Sequence, residues 1–591
     1  MTRVRPPRLP GLIGLIGLIG ALIVGLLAAA HVLYYFPRVV DDMFIFFRYA
    51  ENLAAGDGLT YNVGERVEGF SSVTWMMLVA LGEWLGVNLV TWSKLLGIAS
   101  IAGLMTGQYY FARERLGIAA DAGPRSARHL LRFLAPAFTA CCSYVISWAM
   151  FGLETPLYLA LLLWTAVTLG RYVDQPRRRT LIAAGIVSGV FVLVRPEAPM
   201  MLVAIAGGLA ATMTGTVRQR ALRIAIGVAP AAAVFAVYSV FRRAYFGLWF
   251  PHTYYSKRGD GWNVLGLRQL IGDGAGVLEV VLVVGGIVIA GLAVWRRRDA
   301  ILLATTAATM VFVSKVEIDW MPNVRFWLPL WVMLPLAWAW GADRAWPTSE
   351  LMPRWKRHAR RGLTIAAVLV TLATMAVQAT IDMRYSIFSY RSRGSKAWTK
   401  SKSRALWHDT WLCLQHEWPA YIAKQDKLNM GMITQVFRLI ESDARPLEHT
   451  WFVGPDIGMV GYLTPVNVWE PPGLFTPDIR RYGQDLKPHR RLSPQLLDAA
   501  FDRPIAMTEL FDGLWTTAIK QHPVLSKRLE PTYDWFYVRE RGAPRPSHEQ
   551  IIARYRWGLA KLPSSYYVML MHGSALGAEL DRRVKIVEAQ P

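Results

Sequence analysis

Acidic residues are scarce in this chain, cysteine is nearly absent, and no half of the chain repeats the other. Of three cysteines in 591 residues, Cys141 and Cys142 lie inside an apolar run and Cys413 has no partner in its own region. No disulfide framework therefore holds that region together, and no Cys/His spacing of a metal site occurs. The shortage of acid, 42 residues against 65 basic ones, leaves a net charge of +23. Nucleic acid is the reflex partner for such a charge. Here many of the basic residues sit in short loops between apolar runs, where membrane insertion puts them, so a nucleic-acid partner is not expected. The excess in the C-terminal part suits anionic lipid or a phosphate-bearing substrate. Apolar residues are plentiful: at 53% the chain is too apolar and too long for one soluble core. Apolar runs of roughly 15–25 residues, broken by charged loops, predict a polytopic α-helical membrane protein.

Charge sets the expected topology. Arg3, Arg5 and Arg8 precede the apolar stretch 11–36, whose Ala28-Ala29-Ala30 resembles a signal-peptidase site. The stretch exceeds the roughly 7–15 residues of a signal core, so an uncleaved anchor with a cytoplasmic N-terminus is expected. Its Gly-Leu-Ile repeat suits helix packing. Segment 72–86 is short and holds Glu83 and two tryptophans, while 113–132 holds five arginines. Reading 41–55 and 72–86 as juxtamembrane helices, with the second crossing at 90–112, keeps those arginines inside. Basic loops then lie inside at 171–179, 215–223, 296–298 and 342–361, and outer connections at 150–155, 194–198, 242–275 and 315–325. About eleven crossings result, the last at 362–380. Residues 1–380 form the membrane module and 381–591 an extracytoplasmic domain. Apolar patches at 450–453, 466–468 and 535–538 read as strands, and 493–502 and 548–560 as helices, which makes that domain α/β. Its aromatics and its basic residues, Lys396, Lys400, Lys402, Arg480, Arg481, Arg490 and Arg491 among them, suit a glycan or a surface near anionic lipid.

The polar clusters that look chemical all fall on the outer side. Asp41-Asp42 opens the first outer segment; carboxylates at a membrane face are costly, so they mark chemistry as readily as a helix cap. Gly56 would end that helix. Adjacent helical residues point about 100° apart, so the two acids do not serve one atom. Glu65, Arg66 and Glu68 form either a surface ion network or a rim. Glu154 either caps an apolar run or faces substrate, and Arg195 either pairs locally with Glu197 or waits for an anion. Farther on, Arg242 to Arg258 interleaves cations with aromatics. This is either a membrane belt or a seat for polyprenyl phosphate, with rings against the chain and Lys257 or Arg258 at the phosphate. Lys315, Glu317, Asp319 and Arg325 bring mixed charges to the mouth of a helix pair.

Taken in order, these motifs resemble membrane glycosyltransferases of the GT-C superfold. They are Asp41-Asp42, Arg48, Asn52, Gly58, Asn62 to Glu68, Trp75, Gly152-Leu153-Glu154, Val194 to Glu197, Tyr245-Phe246-Gly247, Pro251, Lys257, Asp319-Trp320-Met321 and Arg325. Within that superfold they are similar to the mycobacterial terminal β-(1→2) arabinofuranosyltransferases. The resemblance covers roughly 35–340 and is weaker at Gly458-Met459-Val460-Gly461 and Gly473-Leu474. Glu317-Ile318-Asp319 and Pro251-His252-Thr253 depart from the family pattern, so the sugar does not carry over.

The resemblance implies a GT-C-like membrane module in the cytoplasmic membrane. It implies transfer of a single sugar from a polyprenyl-phosphate donor to a hydroxyl of a cell-envelope glycan on the extracytoplasmic face, with inversion. Asp41 or Asp42 is the expected base. Arg195, Lys257, Arg258, Lys315 and Arg325 are expected at the donor phosphate, and Glu154, Glu197, His252, Tyr254 and Asp319 at the sugar or acceptor. No cofactor is required, although paired acids with phosphate suit Mg²⁺ or Mn²⁺. The rival expectations are a flippase for lipid-linked sugar, and a ligase or aminosugar transferase of the same superfold.

Overall fold

A computed structural model of the chain describes residues 12–36, 40–122, 126–256, 283–289, 291, 300–316, 325–346, 353–381, 451–453, 457–463, 466–470, 505–510, 557–561 and 567–571. The N-terminal apolar stretch forms α1 (Leu12–Tyr35). The two expected juxtamembrane helices follow as α2 (Asp41–Ala55) and α3 (Val73–Trp84), and the long helix after them is α4 (Leu89–Tyr110). Local chemistry fixes their ends. Ser72 accepts from the Trp75 N–H and Asn88 from the Thr91 N–H, each satisfying an orphan donor of a first turn. Gly56 closes α2 in the left-handed region at φ +92°, which a residue with a Cβ rarely adopts.

A π-turn at Phe111–Arg115 and a 3₁₀ turn at Ala127–Phe133 lead into α5 (Leu134–Cys141) and α6 (Ser143–Met150). The helix through α5 and α6 bends by 56° at Cys142. The rest of the bundle is α7 (Thr155–Asp174), α8 (Arg178–Phe191), α9 (Ala198–Thr212), α10 (Val217–Tyr245), the short α11 (His252–Ser256), α12 (Ile301–Val313), α13 (Leu328–Ala345) and α14 (Arg354–Ile381). Helix α14 begins inside the stretch expected as the basic loop 342–361. Its first turns carry Arg354, Lys356, Arg360 and Arg361, whose long side chains are compatible with helix.

The core runs through α4, α6, α7 and α13, where Leu104, Ile146, Trp148, Leu163, Ala166 and Val332 are buried. By contrast Leu22, Leu26, Ile186, Val237 and Val240 on α1, α8 and α10 face outward. Such an apolar exterior belongs in hydrocarbon, and the protein is a polytopic helical membrane protein. Among the described residues three helices are long and apolar enough to cross a membrane, Leu89–Arg115, Thr155–Asp174 and Val217–Tyr245, or four if the bent pair is one span.

Among the described residues, segments assigned to one side by charge meet one another. At the basic end Arg115 meets Asp174, Arg171 meets Glu114, and Arg128 meets Asp121 and Asp343. At the opposite end, the mouth, the first loop binds the others: the Val73 N–H donates to Leu193 and Trp75 Nε1–H to the Gly152 carbonyl.

Toward the C-terminus, β1 (Trp451–Val453), β2 (Asn467–Trp469), β3 (Ile505–Leu510), β4 (Trp557–Lys561) and β5 (Tyr567–Met571) build one sheet of order β2-β1-β3-β5-β4. The pairs β1–β2 and β1–β3 are parallel; β3–β5 and β4–β5 are antiparallel. The expected strands near 450–453 and 466–468 are present. The expected helix 548–560 is corrected over its described part, because residues 557–560 belong to β4, paired in register with β5. Pairing with a distant strand overrides the local helical pattern there. The expected strand 535–538 and helix 493–502 lie outside the described residues. Between β1 and β2 sits α15 (Gly458–Leu463), which packs on α2.

Candidate active site

The mouth is assembled by the loop that joins α2 to α3. Asn52, at the end of α2, donates to the carbonyls of Thr60 and Tyr61 at 3.0 and 2.9 Å and so folds the loop back along its helix. Tyr49 donates to the Val67 carbonyl at 2.6 Å and accepts from the Gly69 N–H. These bonds bury Glu68, which is 1% exposed. The Glu68 carboxylate accepts from Arg242 at 2.6 Å and from the Tyr238 hydroxyl at 2.7 Å, both on α10. Its backbone carbonyl accepts from the His252 N–H, which ties α11 to the loop. Burial pushes the Glu68 carboxyl above its ordinary range, with Arg242 pulling against it. Glu68 is thus no part of a surface ion network. Its buried Arg242 partner was missed because nothing in the sequence brings residue 68 next to residue 242.

A second buried network lies at the start of α7. Arg195 donates to Glu197 and, at 2.5 Å, to Glu154; Arg325 reaches the same Glu154 oxygen at 3.4 Å. All four residues are buried. The two arginines are clad in rings: Arg195 lies over Tyr158 and Phe326, and Arg325 over Trp148. Burial alone works against the Arg195 charge, and Glu197 and Glu154 more than offset it, so its pKa is raised. The capping alternative for Glu154 is excluded. It occupies the N-cap position of α7 in a helical conformation with no cap bond, and its side chain goes to the arginines instead. Among the described residues, Glu154 Oε2, Thr155 Oγ1 and the Tyr158 hydroxyl are buried without hydrogen-bond partners. They mark the first turn of α7 as a polar surface inside the bundle. Tyr158 escaped the sequence reading because it lies in an apolar run.

Asp41 and Asp42 are the first two residues of α2 and half-buried. Val40, not an aspartate, holds the N-cap position and makes no side-chain cap bond. Asp41 Oδ2 accepts from the Gly458 N–H at 2.7 Å. Two residues beyond Asp41, Met43 packs against Gly152, which lies two residues before Glu154. Gly152 has φ +67°, and a Cβ there would come within 2.6 Å of Ser93 Oγ and 2.7 Å of Met43 Cε. Glycine is therefore what lets the Glu154 loop lie on the helix that starts with Asp41.

His252 is buried, Tyr254 is partly exposed and stacks on Phe250, and Lys315 is exposed at the end of α12. Lys257, Arg258 and Asp319, with Glu317, lie outside the described residues. Glu51, on α2 and about 15 Å along the helix from Asp41, is pushed up to about 7 by burial, with Arg48 opposing and Glu83 adding. Among the described residues no group of three His, Cys, Asp or Glu is gathered for a metal ion.

No family model matches the chain. It is similar to the terminal β-(1→2)-arabinofuranosyltransferase of Mycobacterium tuberculosis, 34% identical over 251 residues, which are 38% of this chain and 36% of that protein. It is also similar to the Corynebacterium glutamicum protein of the same name, 28% identical over 346 residues, 51% of this chain and 47% of that one. The chain thus spans between a third and a half of these relatives. Among solved structures, ArnT from Cupriavidus metallidurans bound to undecaprenyl phosphate superposes with a TM-score of 0.51, covering 95% of this chain and 99% of that one at 14% identity. At that identity the likeness speaks for the fold, which ArnT shares with other GT-C glycosyltransferases. The chain is a sequence relative of the terminal β-(1→2)-arabinofuranosyltransferases, built on the GT-C fold.

Proposed function

We propose that the protein is a membrane glycosyltransferase that moves a single sugar from a polyprenyl-phosphate donor to a hydroxyl of a cell-envelope glycan, on the extracytoplasmic face. The names of its relatives favour arabinofuranose as the sugar. One observation carries the reading: the loop bearing Glu154, which is buried against Arg195 and Arg325, packs on the helix that begins with Asp41. An acid able to take a proton and a rigid polar wall thus meet at one end of the bundle.

In the proposed reaction the acceptor hydroxyl oxygen bonds to the anomeric carbon while its proton passes to Asp41 or Asp42. The bond from the anomeric carbon to the phosphate oxygen breaks, and the polyprenyl phosphate leaves with the electron pair. Positive charge spreads over the sugar ring as that bond weakens, and negative charge grows on the phosphate. Arg195 and Arg325 bring two positive charges, and Glu154 and Glu197 bring two negative ones. That wall is balanced and prearranged. We assign the sugar to it, with Glu154 accepting from sugar hydroxyls. The cations outside that balance, Lys257, Arg258 and Lys315, then serve the leaving phosphate, with Arg195 and Arg325 facing it from the wall. His252 and Tyr254 line the donor side, and Asp319 orients a hydroxyl. With these cations a divalent metal is not required, and transfer should survive a chelator.

The test is purified protein incubated with a panel of polyprenyl-phosphate sugars and acceptor glycans, read by mass spectrometry. A product one sugar larger is expected. Transfer of a whole glycan block would make the protein a ligase, and lipid movement without product a flippase. Asp41→Asn and Asp42→Asn are the residue-level arms. At least one should lower turnover by about 10²–10⁴-fold. Two fully active variants would remove the proposed base.

A further inference from the structure

The bundle and the C-terminal part meet at an unusually close contact. Helix α15 approaches α2 so tightly that a Cβ on Gly458 would overlap the Asp41 carbonyl oxygen, and one on Gly461 the Tyr61 hydroxyl. Four hydrogen bonds hold the approach. The Gly458 N–H donates to Asp41 Oδ2 at 2.7 Å, and the Tyr61 hydroxyl donates to the Ile457 carbonyl at 2.7 Å. Asn62 reads the backbone of Val468 in both directions, donating to its carbonyl at 2.7 Å and accepting from its N–H at 2.8 Å. The ring of Tyr462 completes the contact against Phe44 and Phe47. Asp41 and Gly458 are 417 positions apart in the chain. A domain docked only for tethering would not need its backbone against a carboxylate at the mouth.

We propose that α15 is a working part of the active site: docking of Gly458 on α2 sets the Asp41 carboxylate in the orientation it needs to take the acceptor proton, with Gly458 and Tyr61 as positioning residues. The inference rests on the reading of Asp41 as a base. Its physical content is rotational. A carboxylate on a short side chain at the first turn of a helix can turn about two bonds, and a backbone donor fixed by a second structural element removes that freedom. Glycine is required at 458 because the neighbour it would strike is backbone, which cannot swing aside.

The experiment compares full-length wild type with Gly458→Ala and Tyr61→Phe under the transfer assay. Displacing α15 by the added methyl should lower kcat by about 10²-fold, the scale of a misplacement near 1 Å. KM for the lipid donor should stay unchanged. Tyr61→Phe keeps the ring and loses one bond, so a smaller fall in kcat is expected in the same direction. Unchanged kcat in both variants overturns the proposal. So does a parallel loss of kcat, donor affinity and thermal stability, which marks a merely structural contact. If Asp41→Asn is inactive while Gly458→Ala is fully active, the inference fails and the proposed base stands. A readout independent of turnover is amide hydrogen exchange over 457–463. It should accelerate in Asp41→Ala relative to wild type, and equal exchange would sink the contact even if no sugar donor proved active.

Discussion

At the basic end of the bundle Arg171 and Glu114 pair with 39% and 27% of their side chains exposed, and the Asp174 that meets Arg115 is 59% exposed. At the mouth Glu154, Arg195 and Arg325 pair with 1%, 4% and 7% exposed. Both ends join arginine to carboxylate, yet the surroundings differ. Exposed pairs are screened by water and contribute little. Buried pairs carry a large desolvation cost that only complete pairing offsets, and such arrangements tend to survive where a fixed polar geometry is needed. The exception at the basic end, Arg128 with the buried Asp343, joins the 3₁₀ turn at Ala127–Phe133 to α13, and Asp343 also accepts from the Ala119 N–H. That bond pattern fastens a connection, whereas the network at the mouth gathers residues from three connections onto the first turn of one helix.

The largest break in this comparison should come from Arg195→Met. It leaves Glu197 and one side of Glu154 buried without their cation and should cost about 3–5 kcal/mol, read from denaturation of the purified protein. Gly152→Ala should come next. Its left-handed backbone and the crowding by Ser93 and Met43 predict a loss of about 1–3 kcal/mol, with transfer falling along with stability because the Glu154 loop lifts from α2. A pH series sharpens the contrast at α2. Glu51 titrates at about 7 in the folded chain against a reference of 4.5, chiefly through burial. An acid raised on folding favours the folded state most fully below 4.5, and this contribution is lost as pH rises through about 7. Stability should therefore fall across that window in wild type, and Glu51→Gln should flatten the fall. The smallest effect belongs to the basic end: Arg171→Ala should change stability by less than about 1 kcal/mol, and added salt should shrink it further. An Arg171→Ala cost equal to that of Arg195→Met would erase the distinction between the ends.

Much of the helical framework was legible in the chain. The break between Asp41–Ala55 and Val73–Trp84, and the placement of the long helix after them, followed from segment length, Glu83 and five arginines that a wrong register would strand. Stop signals were legible too, as with Gly56. Of the buried pairs at the mouth, only the local one, Arg195 with Glu197, was legible in the sequence. Glu154, Arg195, Glu197 and Arg325 were singled out, but the convergence of Arg195 and Arg325 on the Glu154 carboxylate depends on three separate connections meeting. Glu68 with Arg242, and Asp41 with Gly458, are pairs that no local pattern encodes. Residues 557–560, expected as the end of a helix, are strand for the same reason: their partner lies elsewhere in the chain.

Sequence alone determined that this chain is a bundle of apolar helices, and it marked Glu154, Arg195, Glu197 and Arg325, which meet at one end of it. Hydrophobic length and the distribution of arginine are linear properties, and insertion into a bilayer reads them linearly. Tertiary structure decided which carboxylates are walled in by arginine, and that a glycine more than four hundred residues downstream closes on Asp41. Those are matters of distance in space. Burial, hydrogen bonding and charge pairing act over a few ångströms, and a sequence has no such coordinate until the helices pack.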